Sequence, residues 1–263
     1  MIPEEWEVRR IADIAVTYSG GTPSTSVSAY YDGNINWITS SDLNSGTVES
    51  VPGKVSQLGL DNSAAKVVPP GSLLIALYGA TAGVAAITLI GAAINQAVLA
   101  VIPNRHSTNY LFHWFCHNKD GIVSTFAQGG QPDLSGEIIR SLLVPLPPFS
   151  EQRAIAAALS DVDALISSLD KLIAKKRDIK QAAMQQLLTG RRRLPGFYGE
   201  WEKRRLGDIT ELRKERIDPQ ADGAGEFCVE LEHIASGAGQ LMGDASASSQ
   251  VSMKSIFHTG DVL

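Results

Sequence analysis

Pro145 to Gly190 reads PLPPFSEQRAIAAALSDVDALISSLDKLIAKKRDIKQAAMQQLLTG, and this stretch decides how the rest of the chain is organised. Pro145, Pro147 and Pro148 cannot sit inside a helix, whereas Ser150 can cap the free amides of a first turn and Glu151 suits the positive end of the helix dipole. Gly190 and Pro195 mark the stop. Between them Ile155, Leu159, Val162, Ile166, Leu169 and Ile173 recur in steps of four and three, with Ala158, Leu165, Leu172 and Ile179 widening the stripe. Lys176 and Lys180 fall on the same stripe and weaken it. At about 1.5 Å per residue the helix from Ser150 to Gly190 would be roughly 60 Å long, which suits a coiled coil. The alternative, one helix buried in a core, needs a core as long as the stripe.

The 263 residues carry a formal charge of −5 and are 44% hydrophobic, enough for one large or two smaller globular units. An acidic chain is not by itself suited to neutralising phosphates. Its bases are unevenly placed, however: Lys171, Lys175, Lys176, Arg177, Lys180, Arg191, Arg192 and Arg193 face only Asp178 over that stretch. This is either a solvated helix end matched to its dipole or a phosphate contact. Cys116 and Cys228 stand far apart and form no C-x-x-C pair, which fits a reducing, cytoplasmic setting. The charged opening MIPEEWEVRR is no signal peptide. Ser72 to Asn104 lacks charge, but Gly79, Gly83, Gly91 and the amides Asn95 and Gln96 interrupt it, so buried strands are expected rather than a membrane span.

Taken in order, the chain predicts a mixed α/β domain over residues 1–149. A short amphipathic segment, Glu5–Ile14, leads into the turn Ser19–Ser24. Strand signals follow at Ile35–Ile38, Leu73–Leu77, Val84–Thr88, Ala97–Ile102 and Leu142–Val144, with a helix over Tyr110–Asn118 and a further apolar run at Ile122–Phe126. Beyond the spacer helix (150–190) and a linker (191–200) the sequence begins again. Trp201 stands over Trp6 and Asp208 over Asp13; Val229–Gly237 falls in the place of Ile38–Gly46, and Gly260-Asp261 in that of Gly71-Ser72. Residues 201–263 therefore read as a second, incomplete copy.

These motifs, in this order, resemble a known family. Trp-x-x-x-x-Ile/Leu-x-Asp-Ile, Gly21-Thr22-Pro23-Ser24, Trp37-Ile38-Thr39-x-x-Asp42-Leu43, Pro70-Gly71-x-Leu73-Leu74, Tyr78-Gly79-Ala80-Thr81-x-Gly83, Asn95-Gln96-Ala97 and Pro145-x-Pro147-Pro148-x-x-Glu151-Gln152 before a long helix look like the specificity (S) subunit of type I restriction-modification enzymes. The resemblance implies two target recognition domains held apart by antiparallel spacer helices, each domain reading half of a bipartite site in double-stranded DNA. It implies methylation (M) subunits docked on this scaffold and using S-adenosylmethionine, and through them a restriction (R) subunit using ATP and Mg2+, with no cofactor on this chain. A chain stopping at Leu263 is expected to be a truncated or half-size member, and two copies could then pair their helices as a homodimer. Ile155, Leu159, Val162, Ile166, Leu169 and Ile173 would form that helix–helix interface.

A DNA-reading role asks for hydrogen-bonding side chains at base edges, while partner subunits can supply basic charge. The candidates are Thr22, Ser24, Thr39, Ser40, Tyr78, Thr81, Gln128 and Gln131, in expected loops, together with Arg105. Each also has a turn-forming or buried structural reading. Asn95-Gln96, inside an apolar run, is expected to satisfy buried backbone.

The same residues speak against catalytic readings. An adenine methyltransferase needs a hydrogen-bond acceptor before Pro-Pro-Tyr/Phe, and Leu146 stands there; Gly79–Gly83 lacks the Gly-Lys-Ser/Thr of a phosphate loop. His113 and His117 have metal-pair spacing without an adjacent third ligand. No catalytic residue and no metal site is expected. A single-chain methyltransferase and a coiled-coil assembly protein without a DNA role are the alternatives.

Overall fold

The uncharged run from Ser72 folds as strands buried on both faces. In the computed structural model, which describes residues 3–126, 133–220, 227–237, 239–246 and 249–262, the chain forms two compact units, 1–180 and 181–263. In chain order the first contains β1 (Glu7–Arg10), α1 (Ile11–Ile14), β2 (Ala15–Ser19), β3 (Ile35–Ile38), β4 (Thr47–Val48), β5 (Lys54–Val55), α2 (Gln57–Asp61), β6 (Lys66–Val68) and β7 (Leu73–Ala76). There follow β8 (Ala85–Thr88), β9 (Ala92–Ile94), β10 (Val98–Pro103), α3 (Thr108–Phe126), α4 (Gly136–Ser141), β11 (Leu143–Leu146) and α5 (Phe149–Leu187).

A five-stranded sheet of order β2-β10-β7-β8-β4 stands beside a four-stranded sheet of order β5-β3-β9-β6, and β1 pairs with β11. Along β7 successive side chains alternate between two cores. Leu73 and Ile75 join Leu99, Val101, Leu111, Phe115, Ile139 and Val144 on the helical side, while Leu74 and Ala76 join Ile38, Val68, Ile94, Val98 and Ala100 on the other. A strand buried on both faces has no polar side to show, which is why this run imitates a membrane segment in hydropathy. Among the described residues no helix is long and apolar enough to cross a membrane.

Two elements differ from expectation. The segment expected to hold a helix at Tyr110–Asn118 and a separate run at Ile122–Phe126 is a single helix, α3, because Leu111, Phe115 and Ile122 fall on one buried face and Gly121 is tolerated within it. Glu5–Ile14 divides into an edge strand and one helical turn, with Ile11 and Ile14 buried.

The long helix runs unbroken over 39 residues. It starts one residue earlier than Ser150 suggests: the Pro148 carbonyl accepts from the amides of Glu151 (2.8 Å) and Gln152 (3.0 Å), so backbone rather than the Ser150 hydroxyl caps the first turn. Its first two turns seat on the domain through Gln152 (1% exposed) and Ala156, with Ile155 half-buried against the helical-side core. The fixing group is Gln152. Its Oε1 accepts from the Ser107 amide (3.0 Å), and its Nε2 donates to the Pro147 carbonyl (2.8 Å) and to His106 Nδ1 (3.1 Å). His113 on α3 adds a contact to Ser160 (3.1 Å). Past that point the stripe is uncovered: Leu159, Val162, Ile166, Leu169 and Ile173 are 44–54% exposed. At the far end Gly190 takes a φ of +71°, the left-handed conformation that ends many helices.

The second unit repeats the first in local geometry. Ile11–Ile14 and Leu206–Asp208 are both single helical turns, preceded by Arg10 (φ −75°, ψ 149°) and Arg205 (φ −72°, ψ 146°). The turn after β3 and its counterpart close in the same way: the Thr39 amide donates to Asp42 Oδ2 (2.8 Å) and the Glu230 amide to His233 Nδ1 (3.0 Å), with Gly46 and Gly237 both at φ +71°. Gly71 and Gly260, the other matched pair, also have positive φ. Short strand pairs Arg216–Ile217 with Lys254–Ser255 and Phe227–Cys228 with Ala245–Ser246 complete the described part of this unit.

Candidate nucleic-acid interface

The pairing register brings the ends of four strands to one place. β2 ends where β10 begins, since Ser19 lies opposite Leu99; β7 ends there too, with Ala76 opposite Val98. β3 runs parallel to β9, with Ile38 beside Ile94. All four therefore point their C-terminal ends at the turn Asn95-Gln96-Ala97 that joins β9 to β10. Backbone bonds lock them to it: Gly20 N to Asn95 O (3.2 Å), Gly21 N to Ile94 O (3.3 Å), Asn95 N to Ile38 O (3.3 Å) and Leu77 N to Ala97 O (2.8 Å). Gly20 must be glycine because a Cβ there would lie 1.8 Å from the Ile94 carbonyl oxygen. The segment after the undescribed residues joins the same end, through a bridge between Tyr78 and Asp133 and a bond from Leu134 N to Leu77 O (2.8 Å).

Six of the expected readers sit on this end, in different states. Thr22 is exposed and donates to Gln96 Oε1 (2.5 Å), tying the Gly-Thr-Pro-Ser loop to the central turn. Ser24 is exposed and shares a hydrogen bond with Ser26 (2.8 Å). Thr39 is committed internally, donating through both its amide and its hydroxyl to Asp42 (2.8 Å each). Ser40, half-buried at the start of the 3-10 turn Ser40–Leu43, has no side-chain partner among the described residues. Tyr78 is 42% exposed, and Thr81 donates back to the Tyr78 carbonyl (3.3 Å) as the hydroxyl of a turn. Arg105 follows β10 at its far end, beside the bond from Asn104 N to Ile14 O, and so does not share a surface with the others. Gln128 and Gln131 lie outside the described residues.

Backbone satisfaction is the default expectation for Asn95-Gln96. That holds for Asn95, whose Oδ1 accepts from the Ala97 amide (3.1 Å). Gln96 is instead exposed at the centre of the rim, its Oε1 held by Thr22 and its Nε2 without a partner among the described residues. Asp133, exposed and joined to Tyr78 by a backbone β-bridge, is likewise not among the expected readers. The Gly20-Gly21 pair facing an Asn-Gln turn could have signalled a close approach, but only the β2–β10 and β3–β9 registers bring the two segments together.

The rim is a set of hydroxyls, amides and one carboxylate on a rigid double sheet, equipped to exchange hydrogen bonds with planar polar edges. Behind it, Tyr18 donates to the Val67 carbonyl (3.0 Å), and burial raises its phenol above the ordinary pKa of 10. The catalytic decoys have structural roles. Leu146 is a buried residue of β11 opposite Glu7. His113 contacts Ser160 and lies 3.8 Å from Asp163, and no metal-binding group of three His, Cys, Asp or Glu occurs among the described residues.

A family model for the type I restriction modification DNA specificity domain matches residues 3–177. The chain belongs to this family. That span takes in both sheets, the converging strand ends and most of the long helix. Among curated proteins it is similar to the type I restriction enzyme MjaIX specificity subunit of Methanocaldococcus jannaschii, at 27% identity over 245 residues, covering 84% of this chain and 55% of that protein. The MjaVIII specificity subunit of the same organism matches at 25% over 238 residues, covering 86% and 53%. The chain thus spans about half the length of the curated relatives it matches. Among solved structures the fold is shared with a chain of a type I R-M system (TM-score 0.57, 18% identity, 71% of this chain and 46% of that one). It is also shared with the HsdS subunit from Thermoanaerobacter tengcongensis (TM-score 0.50, 18% identity, 71% and 45%).

Proposed function

We propose that this chain is a sequence-specificity component of a type I restriction-modification enzyme and that residues 1–149 read one half of a bipartite DNA site. The observation that carries the reading is the convergence of four strand ends on Asn95–Ala97, which gathers Thr22, Ser24, Ser40, Tyr78, Gln96 and Asp133 on one rim. Base edges present donors and acceptors in a pattern such groups can match, and mounting them on strand ends holds their spacing. The chain itself carries no chemistry in this reading. Methyl transfer from S-adenosylmethionine and ATP- and Mg2+-driven restriction belong to the methylation and restriction subunits that it positions in the cytoplasm.

The long helix is the spacer of this reading. Its charge is ordered: Phe149–Asp170 has four carboxylates against Arg153, and Lys171–Leu187 has five bases against Asp178. An antiparallel helix of the same order, supplied by a second copy of the chain, sets acidic half against basic half while covering Leu159 to Ile173. Enrichment of bound duplexes from a random pool, by the methylation subunits with and without this chain, tests the function. A motif that appears only with the chain supports it; the same motif in both pools overturns it.

A further inference from the structure

We propose that Lys66 and Lys119 are the phosphate contacts of the recognition end, one on each side of its hydroxyl and amide rim. This rests on reading that end as a DNA surface. The rim has groups suited to base edges and none that carries positive charge, whereas most affinity for a duplex comes from neutralised phosphates. Only five bases occur between Ser24 and Phe149: Lys54, Lys66, Arg105, Lys119 and Arg140. Two of them are built into the converging end.

Lys66 opens β6 opposite Ile94, one residue short of the central turn. Its ammonium lies 5.6 Å from the centroid of the Tyr18 ring, whose hydroxyl is bonded to Val67 of the same strand (3.0 Å). The ring thus steers the lysine toward the end of β2 without neutralising it. Lys119 reaches the other side from α3. Its stem lies against Gly83, where a Cβ would stand 3.2 Å from Lys119 Cγ, and Gly83 donates to the Ala76 carbonyl (2.9 Å) at the end of β7 beside Tyr78–Thr81. Neither ammonium has a carboxylate within ion-pairing distance among the described residues. By contrast, Lys54 donates to Asn36 Oδ1 (2.5 Å) near the start of β3, at the far end of the sheet, and Arg105 is also at a far end. β2, whose Tyr18 ring the Lys66 ammonium overlies, and the β7–β8 turn, whose Gly83 the Lys119 stem lies against, are two to three interstrand steps apart, about 10–14 Å. That is comparable with the major-groove width of about 12 Å.

The test is binding of the full chain, assembled with methylation subunits, to a duplex enriched from a random pool, measured across a salt series. Each lost phosphate contact lowers the slope of log K against log salt by about 0.9. Lys66→Ala and Lys119→Ala should each lose about that much and the double variant about twice it, with the base preference unchanged; Lys66→Arg should restore the slope. Lys54→Ala should match the parent. Equal urea midpoints for all variants exclude misfolding, and Lys66→Gln replaces Lys66→Ala if that variant fails to fold. Parental slopes for Lys66→Ala and Lys119→Ala would overturn the assignment. If the parent binds without base preference while the lysine variants still lose slope, the phosphate contacts stand and the specificity reading falls.

Discussion

Gln152 is where the long helix is fastened to the recognition domain, and truncating it should cost more than any exposed residue of the helix. Gln152→Ala removes three hydrogen bonds from a side chain that is 1% exposed and leaves the Ser107 amide and the Pro147 carbonyl without that partner in the interior. At about 1 kcal/mol per bond, with a further 1–3 kcal/mol for a buried orphan group, the loss comes to about 4–6 kcal/mol. Gln152→Glu is the sharper probe. It keeps the shape and the acceptor for Ser107, but sets a carboxylate oxygen against the Pro147 carbonyl and offers no proton to His106. Protonating His106 at Nδ1 restores one of these bonds, so Gln152→Glu should recover relative to the parent as pH falls from 8 to about 6. Urea midpoints followed by tryptophan fluorescence measure both effects. A Gln152→Ala variant within about 1 kcal/mol of the parent, or a Gln152→Glu deficit that does not change with pH, would refute the seat described here.

In the parent, His106 is held below its ordinary pKa of 6.5 by burial, with Arg9 adding to the effect and Glu7 and Gln152 opposing it. The folded state therefore disfavours the proton: this stability is present above 6.5 and is lost as pH falls from there through the depressed value, and His106→Gln should flatten that part of the urea-midpoint profile. Gly20→Ala drives a methyl into the Ile94 carbonyl and breaks the two bonds from Gly20 and Gly21 to β9 and its turn; a loss of about 3–5 kcal/mol by urea unfolding is expected, and a neutral result would contradict the close approach. Leu169→Asp changes a side chain that is 48% exposed, so the isolated chain should move by less than about 0.5 kcal/mol. With a second copy covering the stripe, as proposed, light scattering should show the parent self-associating and the variant not; a variant that associates like the parent would place the partner helix elsewhere.

The fold was legible wherever one residue type has one physical meaning. Three prolines and a glycine bounded the long helix to within a few residues, and where Trp201-to-Asp208 repeats Trp6-to-Asp13 each segment makes a single helical turn preceded by an arginine of nearly the same backbone angles. The helix start shifted because the Pro148 carbonyl does the capping that Ser150 was expected to do. Ile122–Phe126 was mistaken for a separate run because a short apolar stretch carries no period of its own. The site was less legible. Loop chemistry picked out Thr22, Ser40 and Tyr78, yet gave no means of separating them from Thr39, whose hydroxyl is consumed by Asp42, or from Arg105, at the other end of a strand. Gln96 was passed over because its apolar neighbours imply burial, whereas a turn between two buried strands projects its middle residue outward. Which loops meet depends on pairing between strands as distant as β2 and β10, and local pattern does not encode that.

Whether the rim reads bases is open to one direct measurement. Ser40→Ala, Tyr78→Phe, Gln96→Ala and Asp133→Asn, each folded as well as the parent, should be assembled with methylation subunits and used to enrich duplexes from a random pool. At least one should change the preferred bases in one half of the recovered motif and leave the other half untouched. An identical motif from the parent and all four variants would contradict it.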